Sequence, residues 1–394
     1  MQADAQKYAL RGVSANKTDV HNAILNLDKG LYPTAFCKIL PDFVAADPDY
    51  CNIMHADTAG TKTSLAYMYW RETGDLSVWK GIVQDSIVMN LDDMACVGCV
   101  KDIILSSTIG RNKSLISGDV VKTLIEATVE FTDKMRDFGI TIHLAGGETA
   151  DVGDIVRTID VGYTAFARMK RNELIVNDVK TGNVIVGFTS FGQASYEEEY
   201  NGGMGSNGLT SARHDVLSAH YRTKYPESYA PETPISVVYT GSKKLTDTLV
   251  VNNQTITAGK LLLSPTRTYL PLLKEILENT EGGKIHGIIH NTGGGQTKVL
   301  KFVKNKHIVK NNLFDVPPLF KMIQSESETD WREMYQVFNM GHRLEIYCDE
   351  EIAESLIAAG KMFNIDAQII GYVKDNTEEK ESLTIESQHG KFEY

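Results

Sequence analysis

The stretch ITIHLAGGETADVGDIVRTIDVGYTA (140–165) decides how the rest of the chain is read. It opens on a short apolar run, continues into a glycine pair that carries Glu148, Asp151 and Asp154 without a lysine, and closes with Ile159, Val161, Tyr163 and Ala165 alternating with Asp160, Gly162 and Thr164. Alternation with period two buries one face of a strand. The acidic glycine stretch is therefore expected to be a turn between two strands, at the rim of a sheet. Glycine-rich turns that meet phosphate directly expose backbone N–H groups and often add a cation. Bare carboxylates there would repel the anion, so two situations fit: an ordinary acidic surface turn, or acids that reach an anionic ligand through a divalent cation.

Upstream, Val121, Leu124, Thr128, Phe131, Met135 and Phe138 recur in steps of three and four, the spacing of one helical face, with Ser117 as N-cap and Gly139 as stop. Downstream, a second unit is expected after the polar run MKRNELIVNDVKTGN (169–183), starting with a strand at Val184–Thr189. A long glycine-rich connection, FGQASYEEEYNGGMGSNG (191–208), follows; loops of that length are usually functional or disordered. A strand at Ile285–Ile289 runs into His290-Asn291-Thr292-Gly293-Gly294-Gly295 and a helix from Gln296; a helix at 352–363 and a strand at 367–373 close the pattern. Strands and helices mixed without strict alternation give α+β in both halves. At 394 residues the chain exceeds what a single core usually serves, and two domains are expected, 1–173 and 174–394.

The net charge of −11 argues against a nucleic acid or an anionic membrane as main partner, and it means that a phosphorylated ligand would need local cations. MQADAQKYALRG has no apolar signal-peptide core and no 18-residue apolar run occurs, so a cytoplasmic location is the expectation. Cys37, Cys51, Cys96, Cys99 and Cys348 are scattered and odd in number, which suits a reducing compartment. The single CxxC at 96–99 lacks a second ligand pair at zinc spacing and is read as buried small residues.

Three polar clusters in the first half are each expected at a strand end: His55-Ala56-Asp57-Thr58-Ala59-Gly60-Thr61-Lys62, Asn90-Leu91-Asp92-Asp93, and Gly147-Glu148-Thr149-Ala150-Asp151. Carboxylates from separate strand ends can converge on Mg²⁺, which takes oxygen ligands and bridges to phosphates. AGTKT is not a P-loop, because Thr61 precedes Lys62 and position 57 is Asp rather than Gly. The triple glycine after His290 is either a flexible turn or a phosphate cradle at the mouth of a helix.

Taken in order, the clusters resemble the phosphoribosylformylglycinamidine cyclo-ligase, or AIR synthetase, family. DTAGTK (57–62) resembles its DGVGTK, DDMACVG (92–98) its NDLxxxG, AGGETAD (145–151) its GGETAE, and GSNG (205–208) its HSNG. LLSPTRTY (262–269), HNTGGG (290–295) and EMYQVFNMG (333–341) resemble LLxPTRIY, HITGGG and EMYRTFNxG. The resemblance implies two α/β-sandwich-like domains, the N-terminal sheet pairing across a homodimer into a barrel. It also implies ATP- and Mg²⁺-dependent closure of formylglycinamidine ribonucleotide to aminoimidazole ribonucleotide. It assigns Asp57, Asp93 and Glu148 to metal-linked nucleotide binding and Lys62 to phosphate. Thr149 and Asn207 become ligand contacts, and His290 with Thr292, Gly293, Gly294 and Gly295 lines the cleft. Lys62, Asp93 and His290 are the expected catalytic residues.

The chain departs from the family in three places. Asp92 replaces an asparagine, Gly205 replaces the histidine before SNG, and GLYPTAF (30–36) only faintly echoes a glycine-rich lid. His214, read as a helix-surface residue, is a substitute for the lost histidine only if it faces the cleft. Two other functions compete: another ATP-using enzyme of the superfamily, and a nucleotide-binding paralogue without turnover.

Overall fold

The computed structural model describes residues 9–13, 23, 26–280, 283–376, 378 and 380–394. In the first half, β1 (Ile39–Pro41), β2 (Tyr50–Thr58), β3 (Ile103–Arg111), β4 (Ile142–Asp151) and β5 (Ile159–Lys170) form a five-stranded sheet in the order β1-β2-β5-β3-β4. Helices α1 (Lys62–Thr73), α2 (Ser77–Ala95) and α3 (Gly118–Asp137) belong to the same half. Strand β5 buries Ile159, Val161, Tyr163, Ala165, Ala167 and Met169, the face its alternation predicts. Helix α3 turns Val120, Leu124, Ala127, Phe131 and Met135 inward, and Arg136 and Lys134 in its last turn suit the negative end of the helix.

The deciding stretch differs from its expectation in one respect. LAGGETAD is not a turn: it is the body of β4, an edge strand parallel to β3, and the turn comes later, at 153–155. Glycine is required there by close approach. A Cβ on Gly147 would lie 2.1 Å from Ser107 Oγ and 2.3 Å from Ser107 O, where the β3–β4 register shifts.

The second half is built on a seven-stranded sheet ordered β14-β13-β10-β12-β6-β11-β9. Its strands are β6 (Val184–Thr189), β9 (Ile285–His290), β10 (Lys306–Lys310), β11 (His342–Cys348), β12 (Ala367–Asp375), β13 (Ser382–Ser387) and β14 (Gly390–Glu393). Every residue of β6 and β11 is buried, so both faces of the sheet centre are covered. Helices α4 (Leu209–Val216), α5 (Leu270–Asn279), α6 (Pro318–Ser327), α7 (Trp331–Val337) and α8 (Ala353–Met362), two short helices at His220–Lys224 and Ala258–Leu262, and the hairpin β7 (Thr248–Val251) and β8 (Gln254–Thr257) belong to this half. The C-terminal tail forms β13 and β14, which extend the sheet beside β10.

Helix α2 is the spine between the halves, and the extended segment LLSPTRTY docks along it. Gln84, Asp85 and Asp92 face that segment. Asp85 Oδ1 accepts from Thr266 N at 2.8 Å and Thr266 Oγ1 at 2.6 Å, and Asp92 accepts from Thr268 Oγ1 at 2.7 Å and Tyr269 N at 2.8 Å. The extended backbone sends its odd members the other way: Arg267 pairs with Glu197 and donates to the Thr189 carbonyl, and Tyr269 OH donates to that carbonyl at 2.9 Å. Period two thus lets one motif bind two elements at once.

Candidate active site

At the end of β9, His290 meets both halves of the molecule. Its Nδ1 lies 2.7 Å from Asp93 Oδ1 on α2, and its Nε2 lies 2.8 Å from Arg343 Nη2 on β11. A guanidinium only donates, so Nε2 is the acceptor and Nδ1 carries the proton that is donated to Asp93. The ring is therefore neutral. Burial, then the Arg343 charge, push its pKa down to about 4. Burial opposes ionisation of Asp93, but the His290 hydrogen bond and the surrounding positive groups outweigh it and hold the carboxyl below its ordinary range. The other side of Asp93 faces His55, whose Nε2 is 3.6 Å from Oδ2 and whose Nδ1 is 3.0 Å from Asn90 Oδ1. With both nitrogens engaged, His290 has no free lone pair for a substrate proton and acts as a positioning residue for Asp93 and Arg343.

Beyond His290 the chain leaves the sheet. Gly294, with φ +97°, caps a 3-10 helix over Gly295–Lys301, where an α-helix from Gln296 was expected. Gly295 has φ +49°, and a Cβ there would lie 2.5 Å from the Phe338 carbonyl, so only glycine fits. The backbone N–H of Gly295 donates to Thr292 O at 3.0 Å. Asn207 reaches this loop: a Cβ on Gly293 would be 3.5 Å from its Nδ2. Thr61, in the DTAGTK turn, meets Thr210 at the start of α4 through their hydroxyls at 2.7 Å. Asp93 and His290 thus join the two halves, Asn207 lies against the 292–295 loop, and the 57–62 turn touches the start of α4.

Under the loop lies a closed charged network. Glu345 accepts from Lys310, from His342 Nε2 at 2.9 Å, from Asn291 Nδ2 at 2.7 Å and from Tyr347 OH at 2.8 Å, all of them buried. Burial works against its charge, yet Lys310 and these donors hold its pKa down at about 2. Asn291, the first residue of the loop, is thereby fastened to the sheet.

Several expected roles change. Lys62 is fully buried; its Nζ is 2.8 Å from Asp85 Oδ1 and 2.6 Å from the Ser264 carbonyl, so it joins the two halves and does not present its charge to a phosphate. Asp92 adds no charge at a metal site, because it points into the α2 interface, where burial raises its pKa to about 7. His214 is not a surface residue: it is buried against Tyr239 at 4.6 Å between ring centroids, and burial with the nearby Arg213 and Arg11 depresses its pKa.

The carboxylate trio does not assemble either. Glu148 registers with Thr108, Gly162 and Thr58, whereas Asp57 registers with Tyr163, whose ring is buried on the helix side. Alternate rows face opposite sides and three strand spacings add roughly 14 Å, so Asp57 and Glu148 of one chain cannot share an ion. No cluster of three metal-ligating side chains occurs among the described residues. A Mg²⁺ cage made of Asp57, Asp93 and Glu148 does not fit this chain, and no chemical step is assigned to it. Glu148 and Thr149 lie exposed on β4. Asp151 is paired with Arg111 at 2.8 Å, which lowers its pKa.

Two residues near His290 escaped the sequence reading, Arg343 and Lys298. Lys298 Nζ is 3.2 Å from Thr292 Oγ1 and 5.4 Å from the Phe36 ring centroid. The available signal was GHRLEIYC (341–348), a strand-like run with His342, Arg343 and Glu345 at positions that a central strand buries. The five cysteines are buried and unpaired, as expected of small core residues.

The model for the AIR synthase related protein N-terminal domain matches residues 39–169, and that for the C-terminal domain matches residues 180–383. The chain belongs to the AIR synthase related family. Similar curated proteins of the family include the phosphoribosylformylglycinamidine cyclo-ligase of Methanococcus vannielii, 28% identical over 86% of this chain and 83% of that protein. The protein of the same name from Methanocaldococcus jannaschii is 28% identical over 84% of this chain and 80% of its own length. Among solved structures, one of a HypE–HypF complex superposes with a TM-score of 0.54 at 14% identity, covering 95% of this chain and 97% of that one. Phosphoribosylformylglycinamidine synthase II of Thermotoga maritima gives 0.50 at 11% identity, covering 99% of this chain and 50% of that one. At those identities the superpositions establish the AIR synthase related fold alone. No helix among the described residues is long and apolar enough to cross a membrane.

Proposed function

We propose that this chain is an ATP-dependent cyclo-ligase that closes formylglycinamidine ribonucleotide to aminoimidazole ribonucleotide, with release of ADP and phosphate, in cytoplasmic purine biosynthesis. The observation that carries the proposal is the meeting of Asp93 from one AIR-synthase half with His290 from the other, beside the 292–295 glycine loop and Asn207. The formamide oxygen is a poor leaving group. Transfer of the γ-phosphoryl group to it gives an iminophosphate; the substrate's amidine nitrogen then attacks that carbon, the C–O bond breaks, phosphate leaves, and loss of a proton completes the imidazole. Such chemistry asks a protein for positioning and for neutralisation of phosphoryl oxygens. The turn and loop backbones supply the first, and the cations beside His290 supply the second.

A homodimer is part of the proposal. Met54, Phe166 and Ile104 lie in one row across the open face of the first sheet, with Met54 62% and Ile104 43% exposed, an apolar face that a second copy would cover. Glu148 and Thr149 lie at the edge of that sheet, so their nucleotide role requires the second copy.

Purified protein incubated with ATP, Mg²⁺ and formylglycinamidine ribonucleotide is expected to yield ADP and the aminoimidazole product. ATP hydrolysis without ring closure would instead mark another enzyme of the superfamily. Tight ATP binding without turnover would mark a non-catalytic paralogue, the reading that Gly205 in place of the family's histidine favours. Asp93→Asn is expected to impair turnover because it loosens His290; unchanged turnover in that variant would remove Asp93 from the site.

A further inference from the structure

Most buried cations among the described residues are paired with a carboxylate. Lys62 has Asp85, Arg11 has Asp215, Arg267 has Glu197 and Lys310 has Glu345, while Arg213 donates to the Ser228 carbonyl and the Tyr239 hydroxyl. Arg213 lacks a carboxylate among the described residues but keeps two oxygen acceptors; Arg343 has neither. It is 2% exposed, makes no ion pair among the described residues, and its side chain's one hydrogen bond goes to the neutral His290 ring. Asp92, Asp85 and Asp93 act on it only at longer range than an ion pair; a guanidinium cannot shed its proton, and burying it without a direct partner is costly.

The unpaired side of Arg343 faces the 205–208 loop. A Cβ on Gly205 would lie 2.8 Å from Nη1, 3.2 Å from Cζ and 3.7 Å from Nε, so the guanidinium lies where a side chain at 205 would begin. The next residue, Ser206, has its hydroxyl sealed from solvent with no hydrogen-bond partner. Lys298 also lacks a carboxylate among the described residues; it is held by Thr292 Oγ1 and the face of Phe36. Two cations without a direct carboxylate partner, Arg343 and Lys298, thus lie near His290, with the partnerless Ser206 hydroxyl next to Gly205.

We propose that Arg343 and Lys298 form an anion grip beside His290, taking a phosphoryl group or free phosphate between the 205–208 and 291–295 loops, and that glycine at 205 makes the room Arg343 needs. The identity of the anion as the transferred phosphoryl group rests on the ring-closure reading; the grip itself does not. A planar guanidinium presents two donors to two phosphate oxygens, and Lys298 adds a point charge from the opposite loop.

The test is calorimetric titration of the full chain with inorganic phosphate, without nucleotide, at constant ionic strength. Arg343→Ala is expected to weaken phosphate binding about 10- to 100-fold, the range for a charged hydrogen-bonding partner, and Lys298→Ala several-fold. Should Arg343→Ala fail to fold, Arg343→Lys, which keeps the charge without the fork, and Gly205→His, which displaces the guanidinium without removing it, must each weaken binding. Loss of phosphate affinity with unchanged ADP affinity identifies a free-phosphate subsite, and loss of both identifies the nucleotide's own phosphates. The proposal is overturned if wild type binds no phosphate, or if the folded variants bind it as wild type does. Phosphate binding that depends on Arg343 in a protein without ring closure would retire the ring-closure reading alone; ring closure with an Arg343-independent phosphate affinity would retire the grip alone.

Discussion

The glycine-bearing stretches 144–151 and 290–295 look alike in sequence, each following a short apolar strand, and they end in opposite surroundings. The first stays in the sheet as an exposed edge strand, and its glycine at 147 is required because the Ser107 backbone passes close by. The second leaves the sheet, is buried, and is tied through Asn291 to a charged network beneath it. Glycine therefore signals that something approaches closely without saying what. The polar residues that other elements bring up make the second stretch a site.

The strongest way to break that comparison is to remove the network under 290–295. Lys310→Met leaves Glu345 buried with its main counter-charge gone and is expected to cost about 3–5 kcal/mol, read by urea denaturation. The double variant Lys310→Met/Glu345→Met is expected to recover much of that loss, because no charge is left stranded. A single-variant loss below about 1 kcal/mol would mean that the network does not hold the loop.

Acid provides the next largest effect, and it too falls on the second stretch. The His290 pKa in the folded state is depressed from 6.5 to about 4, so the unfolded chain takes up the proton first. The stability contributed by neutral His290 is present above pH 6.5, is lost as pH falls toward 4, and levels off below. Glu345, held down at about 2 from 4.5, continues the loss in the same direction below pH 4.5. Melting temperature against pH should show both phases, and His290→Gln should flatten the upper one. Stretch 144–151 buries no ionised group; its exposed Asp151, held low by Arg111, should add only a small, salt-screened part to the lower phase.

Much of the fold was legible because periodicity reports burial directly. The β5 alternation and the α3 stripe follow from side chains that must face one core, and the strands at 184–189 and 285–290 fall where apolar runs end in polar turns. The site was legible only through motifs whose spacing is local. Spacing placed His290 beside its glycines, but it could not show that Lys62 turns inward to Asp85, since the partner lies 23 positions away on another helix. Nor could it show that Arg343 meets His290 across two strands, because β11 and β9 come together only through sheet pairing. Glu148 was read as a site acid from its GGETAD motif and from carboxylates expected at separate strand ends; the register, which local sequence does not encode, places it on the other face from Asp57.

The smallest effects sharpen the contrast most cleanly, since they change one methyl group at a time. Gly295→Ala combines φ +49° with a Cβ 2.5 Å from the Phe338 carbonyl and 2.7 Å from that of Tyr335, neither of which can yield without moving α7 or its end. A loss of about 2–3 kcal/mol is expected, together with weakened phosphate binding, because the loop must shift to relieve the contact. Gly146→Ala has φ +86° and nothing within 4 Å of its Cβ, so only the backbone preference is lost, about 1 kcal/mol, with phosphate binding unchanged. Denaturation and phosphate titration of the two variants side by side check both expectations. If Gly146→Ala proved as costly as Gly295→Ala, or disturbed phosphate binding equally, the two stretches would be coupled parts of one site, and the separation between an exposed strand and a buried loop would have to be abandoned.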